Sequence, residues 1–139
     1  CDDLVKHCGQ IREHLAGVAE RAPLVLKEYN QRLLQRTNEL IADGRLQLQM
    51  DDLKREVAVY AERCDVNEEI TRLSSHLDQF ENLCRGGEQA GRKLDFLAQE
   101  LLREANTIGS KANDARIAQH VVEIKGAIDR LKEQVQNVE

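Results

Sequence analysis

The chain has 139 residues, room for one modest core or for an extended helical piece of something larger. Charged residues make up 32% of it, aromatics only 3%, with one proline and no tryptophan, a mixture that favours long helices and leaves few large rings to build a core alone. A net charge of −5 excludes a binder that holds nucleic acid by general basic excess, and no apolar run approaches the roughly 20 residues that cross a bilayer.

The first predicted element runs from Leu4 through Cys8, Ile11, Leu15, Val18, Ala22, Val25, Tyr29 and Leu33 towards Leu40, in steps of three and four that define one helical face. Pro23 falls inside it, and a proline there loses a hydrogen bond and crowds the preceding turn, so a kink or break is expected near Arg21–Pro23. Asp43-Gly44 supplies a stop signal. A second helix places Met50, Leu53, Val57, Tyr60 and Cys64 on its buried side. Asp65-Val66-Asn67-Glu68 resembles a capping box and opens a third helix with Ile70, Leu73, Leu77, Phe80 and Cys84 inward, ending at Gly86-Gly87. A fourth follows Gly91, with Leu94, Leu97, Ala98, Leu101, Ala105 and Ile108 inward and a turn signal at Gly109-Ser110 that the helix could run through. The last segment, Ile117, Val121, Ile124, Ile128, Leu131, Val135 and Val138, is a heptad-like seam whose partner is either the first helix or a neighbouring subunit. Strand-like alternation is absent throughout, so the fold is all-α: a long kinked N-terminal helix followed by antiparallel helices in a coiled-coil-like bundle. The four cysteines, Cys1, Cys8, Cys64 and Cys84, form no C-x-x-C pair and read as reduced core thiols, as in a cytoplasmic protein.

Two helices carry candidate chemistry. On the third, at 100° per residue, Glu69 and His76 lie within about 20° of each other at the edge of the apolar stripe, with Arg72 just outside. A carboxylate beside an imidazole suits a cation such as Mn²⁺ or an acid–base pair, and suits equally a hydrogen bond that orients the helix. On the fourth, Lys93, Glu100, Glu104 and Lys111 fall within about 40° on one stripe, while Arg92, Phe96, Gln99 and Arg103 form a second stripe opposite the core. Carboxylates four residues apart can share a divalent cation, and an outward Phe can stack on a base; ordinary surface pairs and an oligomer contact are the plain alternatives. The glycine of Ala105-Asn106-Thr107-Ile108-Gly109-Ser110-Lys111 permits close approach of the backbone to a ligand. His7, His14 and His120 are read as structural or solvent-facing.

Three stretches resemble the YicC/YloC family of bacterial endoribonucleases: Gly91 through Asp114 (GRKLDFLAQELLREANTIGSKAND), Asp65 through His76 (DVNEEITRLSSH), and the ending Arg130 through Glu139 (RLKEQVQNVE). They occur in the family's order and cover 65–139 closely and 1–64 more loosely; Leu102 departs from the polar residue common there. The resemblance implies residues 1–45 as a long helical arm that closes the family's N-terminal region, 46–139 as its C-terminal helical domain, and a strand-rich half missing before them. It implies a cytoplasmic, metal-dependent endoribonuclease of single-stranded RNA, acting with Mn²⁺ or Mg²⁺ as a homo-oligomer, a hexamer, with no membrane or DNA partner. On that basis Glu69, His76, Glu100 and Glu104 become the metal candidates, and Glu100, Glu104 and His76 the catalytic ones, with His76 the base if the 2′-hydroxyl attacks. Arg72, Arg92, Lys93, Phe96, Arg103 and Lys111 become the RNA contacts. The isolated chain is expected to be folded and helical but weakly active or inactive. The rival expectation is a helical oligomerisation or interaction module, supported by the heptad seam and the scarcity of rings, with the chemistry in the absent half.

Overall fold

The stripe that starts at Leu4 becomes a single helix in the computed structural model, which describes residues 2–42, 50–86 and 91–138. The helices are α1 (Asp2–Ala42), α2 (Met50–Cys64), α3 (Asn67–Arg85), α4 (Gly91–Ala112) and α5 (Ala115–Val138). The described residues contain no strand. Helix α1 is not broken at Pro23; it continues through the proline for another five turns. Pro23 and Ala19, whose carbonyl loses its helical partner, are both exposed, where water can supply the missing hydrogen bond. The stop signal at Asp43-Gly44, the side chains of Met50 and Val138, and Gly87 lie outside the described residues.

Helices α1, α3, α4 and α5 form a ring in which each touches the next, α1 on α3, α3 on α4, α4 on α5 and α5 on α1. The pairings His7–Gln134, His14–His120 and Arg21–Asp114 run in opposite directions along α1 and α5, so these helices are antiparallel. Arg72–Glu104 with Glu69–Lys111 makes α3 and α4 antiparallel, and Arg12–Asp78 with Cys8 beside Cys84 does the same for α1 and α3. The result is an up-down-up-down four-helix bundle, with α2 carried outside on the second half of α1. One core holds Leu4, Cys8, Ile11, Leu15, Val18 and Val25 of α1 with Leu73, Leu77 and Phe80, Leu97, Leu101 and Ile108, and Ile117, Ile124, Ile128 and Leu131. The heptad seam of α5 is therefore used within the chain, against α1 and α4.

With 41 residues α1 is roughly 60 Å long, twice the roughly 30 Å of the 19-residue α3, so its second half passes beyond the bundle. There Tyr29 stacks on Tyr60 of α2 with ring centroids 3.6 Å apart, while Leu24, Leu34, Ile41 and Val59 remain exposed. A cavity of about 330 Å³ between α1, α2 and the end of the bundle is walled by Pro23, Leu26, Cys64, Val66, Ala112 and Ile117 among others.

The connections follow side-chain caps in place of the expected signals. Asp65, one residue before the Val66 N-cap, accepts from the Asn67 N–H at 3.0 Å, an Asx turn into α3; the N-cap itself has no side-chain bond, so the expected capping box does not form. The α4–α5 turn is not at Gly109, which is helical; it is at Asn113, with φ of 42°, followed by Asp114, whose carboxylate accepts the Ile117 N–H at 3.1 Å. A β-carbon at Gly109 would sit 3.2 Å from Val121 Cγ1, so this glycine lets α4 approach α5. A β-carbon at Gly17 would come within 2.6 Å of the His120 ring, which stands with its Nδ1 3.0 Å from that of His14.

Asp114 is also held by Arg21, whose Nε and Nη2 donate to its two oxygens at 3.2 and 3.1 Å, and this hydrogen bonding keeps its pKa below the ordinary carboxylate value. Because the folded value is depressed, the contribution to stability is complete above the unfolded pKa of about 3.9 and is lost as pH falls through the folded value. Asp114→Asn keeps the helix cap and removes the ion pair, so its melting temperature should lie below that of the unchanged chain at pH 7, and the gap should close in thermal scans as pH falls through the folded value. Cys8 is fully buried, and desolvation pushes its thiol up to about 12. A thiol reagent at pH 8 should therefore leave Cys8 unlabelled in the native chain and label it only on unfolding, as mass spectrometry would read.

Candidate metal centre

The edge of the α3 stripe and one polar stripe of α4 meet face to face along the α3–α4 seam. Antiparallel register sets Glu69 opposite Lys111, Arg72 opposite Glu104, and His76 near Glu100 and Glu104. His76, Glu100 and Glu104 each offer one ligand atom, and the three atoms lie within 4.8 Å of one another. Glu104 is buried, whereas His76 and Glu100 are half-buried, so the cluster sits at the mouth of the seam with one side open to water.

Glu104 belongs to α4 by its spacing from Leu101, Ala105 and Ile108, which turn it towards α3 and away from bulk solvent. Its Oε1 accepts from Arg72 Nε at 3.0 Å. Arg72 also reaches Glu68 at 3.3 Å and Glu69 at 3.5 Å, and the bond to Glu104 is the main reason its pKa is raised. Glu69 is 3% exposed and is gripped by Lys111, whose Nζ donates to its Oε1 at 2.9 Å and to the Asp65 carbonyl at 3.4 Å. That bond to Glu69 is likewise the first cause of the raised Lys111 pKa. Two buried polar atoms have no hydrogen-bond partner among the described residues, Glu69 Oε2 and His76 Nδ1. Burying such atoms without a partner costs on the order of 1–3 kcal/mol each; His76 belongs to the carboxylate cluster, where a cation or its waters would restore the loss, whereas Glu69 lies outside it.

Three of the four sequence-proposed metal residues thus converge; the fourth, Glu69, lies outside the group, paired with Lys111 and Arg72. Arg103 lies 3.8 Å from Glu100, and Arg92, Lys93, Phe96 and Arg103 are exposed on α4. Phe96 is 60% exposed, with its ring on the surface. Glu68 was not singled out from the sequence, although its i, i+4 spacing to Arg72 announces the pair that forms.

An imidazole with two carboxylates is a donor set for Mn²⁺ or Mg²⁺, with open positions left for water or substrate oxygen. Four carboxylates meet here, Glu68, Glu69, Glu100 and Glu104, against three cations, Arg72, Arg103 and Lys111. A dication turns this small negative excess into a positive one, which is what a phosphodiester needs.

The family described as endoribonuclease YicC-like, C-terminal, matches residues 18–139. A protein of Clostridioides difficile named probable endoribonuclease YicC is 37% identical over 138 residues, 99% of this chain and 47% of that protein. One of Haemophilus influenzae with the same name is 41% identical over 122 residues, 88% of this chain and 41% of its own length. The chain spans less than half the length of the curated relatives it matches.

Proposed function

The chain belongs to the YicC-like endoribonuclease family as its C-terminal part, and from that premise we propose that it carries the metal centre of an endoribonuclease acting on single-stranded RNA. The observation that carries this reading is the convergence of His76, Glu100 and Glu104 within 4.8 Å at an open seam. His76, Glu100 and Glu104 hold Mn²⁺ or Mg²⁺, which supplies Lewis-acid polarisation at the scissile phosphate. Glu69 sets the position of Lys111 and Arg72 from behind. Lys111 and Arg72 face the charge that builds on the phosphorane, while Arg92, Lys93 and Arg103 hold flanking phosphates. Phe96, outward on the same helix, stacks on an unpaired base, which a duplex would not present.

The protein acts in the cytoplasm as a homo-oligomer, a hexamer, and exposed Leu24, Leu34, Ile41 and Val59 supply apolar surface for contacts between copies. No helix of the described residues is long and apolar enough to cross a membrane. The rival reading, an interaction module alone, is weakened by the use of the α5 seam inside the bundle.

The test is cleavage of a labelled single-stranded oligoribonucleotide and of its duplex with Mn²⁺, Mg²⁺ or a chelator. The 139-residue chain is compared with the same residues in a protein of the relatives' full length. Expected are metal-dependent cutting of the single strand by the long form and little by the chain alone. Equal cutting in chelator removes the metal reading. Product ends choose the route: a 2′,3′-cyclic phosphate requires attack by the 2′-hydroxyl, where His76 can be the base only if the two glutamates hold the cation without it, and a 5′-phosphate requires attack by water.

A further inference from the structure

Arg72 occupies an unusual place for a residue beside a cation site. All three of its guanidinium nitrogens are engaged by carboxylates, Nε by Glu104, Nη1 by Glu68 and Nη2 by Glu69. The side chains of Glu69 and Glu104 are 5% and 7% exposed, whereas that of Arg72 is 47% exposed. The arginine therefore spans the seam from the water side, like a bar across its mouth. The oxygen it takes, Glu104 Oε1, belongs to one of the three groups that converge on the candidate cation site.

Resting on the reading of the seam as a metal centre, we propose that Arg72 is a latch that competes with the divalent cation for Glu104 and passes to an RNA phosphate when the cation arrives. Without the cation, a guanidinium is the cheapest counter-charge for a buried carboxylate, because Glu104 would otherwise be ionised and unpaired. Once a dication sits between His76, Glu100 and Glu104, the carboxylate charge is met from the other side, and two positive groups now share one Glu104. Like-charge repulsion loosens the Arg72–Glu104 bond. The side chain keeps Glu68 on its own helix, one turn away, as an anchor, and its freed N–H groups form a planar fork that suits a phosphate. RNA would then be held strongly only where the cation is already in place, which orders the two binding events.

A plain structural clamp gives the opposite sign. If Arg72 only steadies Glu104, its loss lets the ligand wander and weakens cation binding; if it competes, its loss strengthens cation binding. The experiment is isothermal titration of the chain with MnCl₂ for the unchanged protein, Arg72→Met, Arg72→Gln and Arg72→Lys, with circular dichroism to check folding and Arg12→Met as a control, a charge removed from the α1–α3 contact at Asp78 and Glu81. Anisotropy of a labelled single-stranded oligouridylate is followed with and without Mn²⁺. Arg72→Met and Arg72→Gln should bind Mn²⁺ on the order of tenfold more tightly, as expected from removing one positive charge a few ångströms from a dication. Arg72→Lys, which keeps the charge, and Arg12→Met should stay near the unchanged protein. Mn²⁺ should raise RNA affinity in the unchanged protein severalfold, and less in Arg72→Met. Unaltered or weaker Mn²⁺ binding in Arg72→Met and Arg72→Gln overturns the latch while leaving the metal centre standing. If the unchanged protein binds no Mn²⁺, the metal centre falls and the latch falls with it.

Discussion

Glu100→Gln and Glu104→Gln should each lower Mn²⁺ affinity and RNA cleavage by on the order of a hundredfold or more while leaving the chain helical. The size follows from the ligand count: three side chains converge among the described residues, and outer-shell changes alone typically remove about 10–100-fold in affinity or activity. The two variants should differ in a second respect. Glu104 is buried and bonded to Arg72, and the amide oxygen of Gln can still accept that bond, so a small loss of melting temperature is expected there. Glu100 is half-buried, with Arg103 at 3.8 Å, and its replacement should leave the melt unchanged. Titration on the chain and cleavage by a protein of full family length provide the two readouts. Normal cleavage by both variants at unchanged assembly size would remove the carboxylates from the chemistry. Loss of assembly would return the seam to an interface.

Much of this arrangement was legible as separate faces. The stripe from Ile70 to Cys84 and that from Leu94 to Ile108 each fix which way their own helix turns, so Glu69 and His76 at one edge, and Glu100 and Glu104 at another, follow from spacing alone. What spacing within one helix does not contain is the register between helices. That Arg72 meets Glu104, and Lys111 meets Glu69, depends on how Leu73 and Leu77 interdigitate with Leu101 and Ile108, and a slide of one turn would pair other residues. The resemblance drew Glu69, His76, Glu100 and Glu104 into one list, but gave no indication that Arg72 would bar the seam. Backbone signals misled where side chains outweighed them. Gly109 looked like a turn because glycine is permissive, yet its use is the close approach of Val121, and the turn fell one step later at Asn113-Asp114, where a left-handed residue and an N-cap do the work glycine was expected to do. Pro23 failed to break α1 because the helix is solvated on that side and anchored by Val18 and Val25 on the other.

The two phenylalanines of the chain should respond to the same substitution in opposite ways. Phe80 is fully buried in the second half of α3, packed into the core shared with α1 and α4, and Phe80→Ala should cost about 3–5 kcal/mol. Set against the roughly 5–15 kcal/mol that holds a domain of this size together, the loss should appear as a drop of about 10 °C or more in melting temperature. RNA binding measured well below that temperature should hardly change. Phe96, on the outer face of α4 and 60% exposed, buries too little for its removal to shift the melt by more than about 0.5 kcal/mol. If its ring is a stacking platform beside the metal centre, Phe96→Ala should weaken single-stranded RNA binding by about 1–3 kcal/mol at fixed salt and Mn²⁺. Should Phe96 belong to a contact between copies, the same variant would change the assembly size and leave RNA affinity per subunit intact. Anisotropy and light scattering on one preparation separate these outcomes. The pair also controls for itself, because general unfolding would take RNA binding and the melt together, whereas a surface role moves only one of them.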